Sequence, residues 1–483
     1  MKLSVGTNFD DALIDQLKDT PVSTLYGKLA QDIFGGGRPS FALPQASEEQ
    51  IQRHIRLAHD NGIEFNYLLN TVCMDNMELT KETNREIIRF LDKLKEWNVD
   101  WVTVSMPYLI DLVKKQMPDV KISVSLFADI NSIQKAKYYE SLGVDEITLP
   151  ESFNRNFRFL EQLKKSVSSI DIRLIATNDC TFSCPYQNMH PIYQSHASQE
   201  NHKSQGYPFD YCLLKCTYEK LKDPSQYIKS CWIRPEDVHI YEGLGYHSFK
   251  LTERLKKTDK ICKMVRAYAA EKWDGNLAEI LNVKMSQEDF IMPDFSYMDK
   301  PEFVDVEKFT GLFPLLFANQ VYIDNKLLDG FLDHFLKKDS DCQQQDCSEC
   351  GYCSRIAKKT VKMALTDSMK KEYEQKYEQL FANLADGTFF AETKEKINWP
   401  QEMSDLLDQM IQVKPEFIQT YARNAIKEHA EKLVRNSGRN CVEIKDLIDA
   451  NVWVTPKEMQ AVMLNGLQNM GLDVSGYLEE VFS

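Results

Sequence analysis

Glu64-Phe65-Asn66-Tyr67-Leu68-Leu69 is a short apolar and aromatic run set between two stretches of helical periodicity, Glu48 to Asp60 and Lys81 to Trp97. A strand between amphipathic helices is the repeat unit of a parallel sheet, because a crossover helix must cover the sheet's face. The same alternation recurs on both sides of it. Similar runs lie at Leu3 to Gly6, Ser23 to Gly27, Trp101 to Ser105, Lys121 to Leu126, Glu146 to Pro150, Arg173 to Asn178 and Ser248 to Thr252. Further helical stretches fall at Ile130 to Leu142 and Asn156 to Ser166, each with charged residues opposite an apolar stripe. Eight such units predict a closed TIM-type (β/α)8 barrel over residues 1–281, with a doubly wound open sheet as the competing architecture.

In a barrel of this kind the chemistry sits in the βα loops at the C-terminal ends of the strands. Asn66 and Asn70 fall there around the third strand, Ser105 after the fourth, Ser125 in the fifth, Asn154 and Arg155 after the sixth, Asn178 after the seventh, and Glu253 and Arg254 after the eighth. Gly35-Gly36-Gly37-Arg38-Pro39, after the second run, is either a simple turn or a place where backbone N–H groups and Arg38 meet an anion. Arg38, Asn66 and Asn70 are therefore candidate cofactor-binding residues.

Beyond residue 281 the regular spacing lapses. Residues 282–395 read as a linker region that ends in a cysteine-rich stretch, Asp339 to Cys353, and a helical run from Ser354 to about Leu384. Residues 396–483 read as helices only, a small all-α C-terminal domain. Trp399-Pro400 stands at a first turn there, and Leu407, Met410, Phe417 and Tyr421 follow at helical spacing.

The chain has 483 residues, 43% apolar and 27% charged, enough for more than one packed core. A formal net charge of -14 argues against a broad phosphate-binding surface, so a nucleic-acid partner is disfavoured. The N-terminus lacks an apolar signal core and no run is long enough for a spanning helix, which predicts a cytoplasmic protein without a membrane span. In that compartment twelve cysteines are better read as metal ligands than as disulfides.

Eight of the cysteines form two sets. Cys180 and Cys184 follow the seventh strand, and Cys212 and Cys216 lie further along the same long loop. Four thiolates in two pairs suit a 4Fe-4S cube or a zinc ion; gaps of three residues in a large loop at a catalytic face favour the cube. Cys231 is a reserve ligand. Between the pairs lie His190, His196 and His202, which could move protons or ligate metal, though loop histidines commonly only hydrogen-bond. Cys342, Cys347, Cys350 and Cys353 form the second set, with the short gaps of ferredoxin loops; a second 4Fe-4S cluster and zinc both fit it. Trp232-Ile233-Arg234-Pro235-Glu236-Asp237 is mainly a helix start, with Arg234 able to face the site. Asn178, His190, His196 and Arg234 are the candidate catalytic residues.

The chain resembles family 32 of the U-type peptidases, the collagenase-like proteases. The resemblance runs from about Leu3 to Leu281 through Gly35 to Pro39, Glu64 to Asn70, Asn178 to Pro185, Ser195 to Gln199, Asp210 to Cys216 and Trp232 to Asp237. It implies a TIM-like barrel with a four-cysteine 4Fe-4S cluster. It also implies kinship with oxygen-independent hydroxylases of tRNA or rRNA pyrimidines or of the ubiquinone ring, in which prephenate is implicated as oxygen donor. Residues from about Trp399 to Ala450 resemble the small C-terminal domain of a light-independent protochlorophyllide reductase subunit. The cysteine spacing and the second set depart from the hydroxylases and leave the substrate open.

The expectation is an iron-sulfur oxidoreductase, an oxygen-independent hydroxylase acting on a small molecule, peptide or nucleoside with an electron-donor protein as partner. The alternatives are a metal-dependent peptidase and a noncatalytic electron-transfer or scaffold subunit.

Overall fold

Strands β1 (Lys2–Gly6), β2 (Val22–Gly27), β3 (Glu64–Leu69), β4 (Trp101–Val104), β5 (Lys121–Val124), β6 (Glu146–Thr148), β7 (Asp171–Ile175) and β8 (Ser248–Leu251) pair in parallel and in sequence order, and β8 closes on β1. The computed structural model describes residues 1–294, 311–337, 341–389 and 397–477, apart from residues 201, 205, 208 and 415.

The strands alternate because both faces are buried but only one is apolar. Val102, Val104, Ile122, Val124, Ile147, Ile172, Leu174, Phe249 and Leu251 belong to the main apolar core. The residues between them carry polar groups that bond across the strands. Thr103 Oγ1 donates to Asn66 Oδ1 (2.9 Å), Ser123 Oγ and Ser248 Oγ donate to Glu146 (2.7 and 3.1 Å), and Arg173 pairs with Glu146 at 2.9 Å. A buried charge pair survives only with such extra hydrogen bonds.

The helices start where the sequence caps them. Ser47 and Gln50 form a capping box on Glu48–Asp60, whose Ile51 and Ile55 are fully buried, and Thr80 caps Lys81–Glu96. Each such isoleucine contributes roughly 1.5–3 kcal/mol of burial.

The chain divides into two compact units, Met1–Phe389 and Phe390–Ser483. Part of the stretch read from sequence as a linker shares the barrel's core, through Val321, Ile323, Phe331, Phe335 and Ala357. The helical run expected from Ser354 is interrupted. Helices Tyr352–Thr360 and Asp367–Ala385 are separated by β10 (Val361–Met363), which pairs antiparallel with β9 (Val321–Ile323), and Thr366 caps the second helix. Sequence periodicity missed this because β10 is short and its partner is distant in sequence.

In the second unit, Pro400 precedes Gln401–Gln412, and Glu416–Asn436, Ile444–Val454 and Lys457–Asn469 follow. Leu407, Met410, Ile426, Val434, Leu447 and Leu464 form its core. The side chains of Phe417 and Tyr421 lie outside the described residues. Among the described residues no helix is long and apolar enough to cross a membrane.

Candidate active site at the barrel mouth

The C-terminal ends of the strands open into a cavity of about 580 Å³. Cys180, Cys184, Cys212 and Cys216 all line it. The first pair follows β7. The second projects from helix Tyr211–Lys222, where i,i+4 spacing puts both thiols on one face. Two contacts tie the pairs together. Lys220 Nζ binds Asp179 Oδ2 at 2.6 Å, joining the helix to the loop just before Cys180, and the Thr181 hydroxyl lies 3.2 Å from Cys216 Sγ.

Burial pushes the Cys184 thiol up and the Cys212 thiol to about 12. A metal must therefore displace their protons on binding, and the buried Lys220 ammonium would help to balance the resulting charge. Four thiolates around zinc would sit about 3.8 Å apart, from Zn–S bonds of about 2.3 Å. Among the described residues no three thiols of either set come within 4.8 Å of one another. A donor set of four thiolates is one that both zinc and an iron-sulfur cluster use.

The cavity floor is cationic. Arg38, Lys250 and Arg254 line it, together with Tyr26, Asn70, Asn178 and Glu253. Burial, reinforced by Arg173 and Arg254, lowers Lys250 to about 7, and burial together with Arg38 lowers Arg254 to about 10. Lys250 Nζ stands 4.1 Å from the centre of the Tyr26 ring. Arg38, Lys250 and Arg254 thus lie close enough to repel one another, and Glu253 offsets part of their charge.

The predicted residues separate into two groups. His190, Asn178, Arg38 and Asn70 line the cavity. His190 Nε2 lies 3.0 Å from Asp210 Oδ2, which also accepts from Gln194, and Asn178 accepts from Thr252. Asn66 is deeper in the lumen, bonded to Thr103. His196 stands outside the cavity lining, beside Asp75. Arg234 is buried against Asp237 and also donates to Asn325 and Asp329.

The glycine run has a packing role. The N–H groups of Phe34 and Gly35 bond Asp32, and that of Gly36 bonds Ser198. At Gly35, φ is +67° and a Cβ would stand 2.1 Å from the Ser195 carbonyl oxygen, so only glycine fits. Lys250 was not singled out from sequence. Its signal was a charged residue at an inward position of Ser248–Leu251.

The second set packs against the outer side of the same wall. Cys342, Cys347, Cys350 and Cys353 surround a crevice of about 30 Å³ with His334, Phe335 and Tyr352. Cys231 links it to the cavity, which it lines. Its thiol donates to the Ser152 carbonyl (3.8 Å), which also accepts from Gln343, and the nearby Cys342 and Cys353 add to the burial that holds it near 12. Arg155 braces the junction, donating to the Ile228 and Ser230 carbonyls with its guanidinium over Trp232 and Phe331.

Fold and site together define a TIM-type barrel protein with a thiol-lined, cation-floored cavity at its mouth. The profile of peptidase family U32 matches residues 26–288, and the chain belongs to that family. An uncharacterized protease of Methanocaldococcus jannaschii is 29% identical over 332 residues, covering 69% of this chain and 87% of that one. The tRNA hydroxylation protein P of Escherichia coli is 24% identical over 162 residues, a third of each chain (33%). The solved U32 peptidase Mk0906 is 20% identical with a TM-score of 0.41, covering 52% of this chain and 93% of that one.

Proposed function

We propose that the chain is an iron-sulfur oxidoreductase that hydroxylates an anionic small molecule or nucleoside without molecular oxygen, taking the oxygen from a hydroxylated organic co-substrate that is reduced by two electrons as the substrate is oxidised by two. The observation that carries this is the convergence of Cys180, Cys184, Cys212 and Cys216 on one cavity above a floor of Arg38, Lys250 and Arg254. The relative named for tRNA hydroxylation supports the reaction class. A 4Fe-4S cluster held by these four thiolates would supply one-electron chemistry at the mouth.

The chain's own residues do the rest. Arg38 and Arg254 bind and orient the anionic group. Lys250, poised near neutrality, holds or releases a proton at Nζ. His190, which lines the same cavity and is hydrogen-bonded to Asp210, serves as a second proton carrier. The second cysteine set is the electron entry, because Cys231 and Ser152 belong both to its surroundings and to the cavity wall. A small electron-carrier protein is the corresponding partner.

The test is mass spectrometry of metabolite and RNA pools incubated anaerobically with the reduced protein. The expected product gains one oxygen atom and is not formed by Cys212→Ala protein. A second reading, a peptidase, is favoured by the relative named as a protease and by the His190–Asp210 pair. Peptide cleavage that survives removal of iron would establish it and overturn the first.

A further inference from the structure

Outside the cavity, the loop after β3 meets the end of helix His190–His196 at another group of ligating side chains. Cys73, Asp75 and His196 each offer one ligand atom, and the three atoms all lie within 4.8 Å of one another. Asp75 Oδ1 is 3.7 Å from Cys73 Sγ and 3.6 Å from His196 Nε2. That nitrogen is buried and has no hydrogen-bond partner. A buried polar atom left unpaired costs about 1–3 kcal/mol, so a nitrogen aimed at a thiol and a carboxylate is better explained by a cation between them.

The surroundings hold the three ligands in place. The His202 ring accepts from the Ser204 N–H at Nδ1 (3.0 Å), which leaves the proton on Nε2 to donate to Asp75 Oδ2 at 3.3 Å. Such an outer partner fixes a carboxylate for metal binding. The Cys73 carbonyl accepts from Gln199 (2.5 Å) and Thr71 (3.1 Å), and the Val72 N–H reaches Ser195. Lys203 is the one opposing charge among the described neighbours, 4.0 Å from Asp75 Oδ2 and 85% exposed.

We propose that Cys73, Asp75 and His196 form a binding site for a zinc-class divalent ion. One thiolate, one imidazole and one carboxylate are the mixed donors such ions take, and three protein ligands leave a fourth position for water. The ion fastens the loop after β3 to the segment carrying His190 and Gln194, and so stiffens one wall of the cavity. This site is independent of the two four-cysteine sets.

The test equilibrates anaerobically purified full-length protein with zinc, desalts it, and measures zinc, iron and sulfide. Wild type is expected to retain about one zinc more than Cys73→Ala or His196→Ala, with iron and sulfide equal in all three. Equal zinc in all three overturns the proposal. Should either variant lose iron as well, His202→Ala decides: its ring bonds the Asp75 carboxylate and stacks on His196 at 4.2 Å without being a ligand, so zinc affinity should fall about 10–100-fold with iron retained. Unchanged affinity overturns the site. Cobalt(II) added to wild type should give a thiolate-to-cobalt absorption that Cys73→Ala lacks; the same band in both proteins also overturns it.

Discussion

The two four-cysteine sets use the same ligand in opposite settings. The mouth set comes from two elements distant in sequence and faces a cavity large enough for a substrate, whereas the other set occupies residues 342–353 and closes on a crevice of about 30 Å³ beside His334 and Tyr352. A compact loop of thiols can assemble with little help from the fold. The mouth set must wait for the barrel, and the Lys220–Asp179 pair marks where that assembly is enforced. Under the proposed function, the open set would carry the substrate chemistry and the closed one electron storage or supply.

The comparison breaks most readily at the ligands. Cys180→Ala or Cys212→Ala should lower hydroxylation at least about 1,000-fold, as expected when a catalytic centre is removed, with little change in thermal unfolding. Cys350→Ala should slow reduction by the carrier protein while leaving turnover with a small chemical reductant largely intact. Equal loss of both activities in every variant would erase the distinction.

Lys220→Met should cost about 3–5 kcal/mol in denaturant unfolding, because it strands the Asp179 carboxylate in a half-buried loop. The pH dependence sharpens the role of the floor. Lys250 is protonated below about 7, so binding of an anionic ligand should be strongest below that pH and fall as pH rises through it. The loss should be about tenfold or more, measured by titration calorimetry, and Lys250→Met should remove this limb. Thr181→Val should give the smallest effect, about 0.5–1.5 kcal/mol in cluster retention, by deleting the hydroxyl contact to Cys216.

The barrel was legible from sequence because each strand announces itself by alternation and each helix by its stripe and cap. Glu64–Leu69 and Glu48–Asp60 have the boundaries that periodicity predicts. That Cys180, Cys184, Cys212, Cys216, His190, Asn178, Arg38 and Asn70 gather at the barrel mouth was legible from their places in the βα loops. Lys250 was not, since an isolated lysine in a strand looks like surface until the lumen is known to be polar. Nor was the junction around Cys231, Ser152 and Gln343, which depends on contacts between residues far apart in sequence.

The central claim is that the mouth thiols hold a 4Fe-4S cluster distinct from the group on the second set. Iron and acid-labile sulfide measured on anaerobically purified wild type, Cys180→Ala and Cys350→Ala protein test it most directly. About eight of each are expected in wild type and about four in either variant, with different electron paramagnetic resonance signals remaining in the two. Iron lost only from Cys350→Ala, or a wild-type chain that carries zinc and no sulfide, would contradict it.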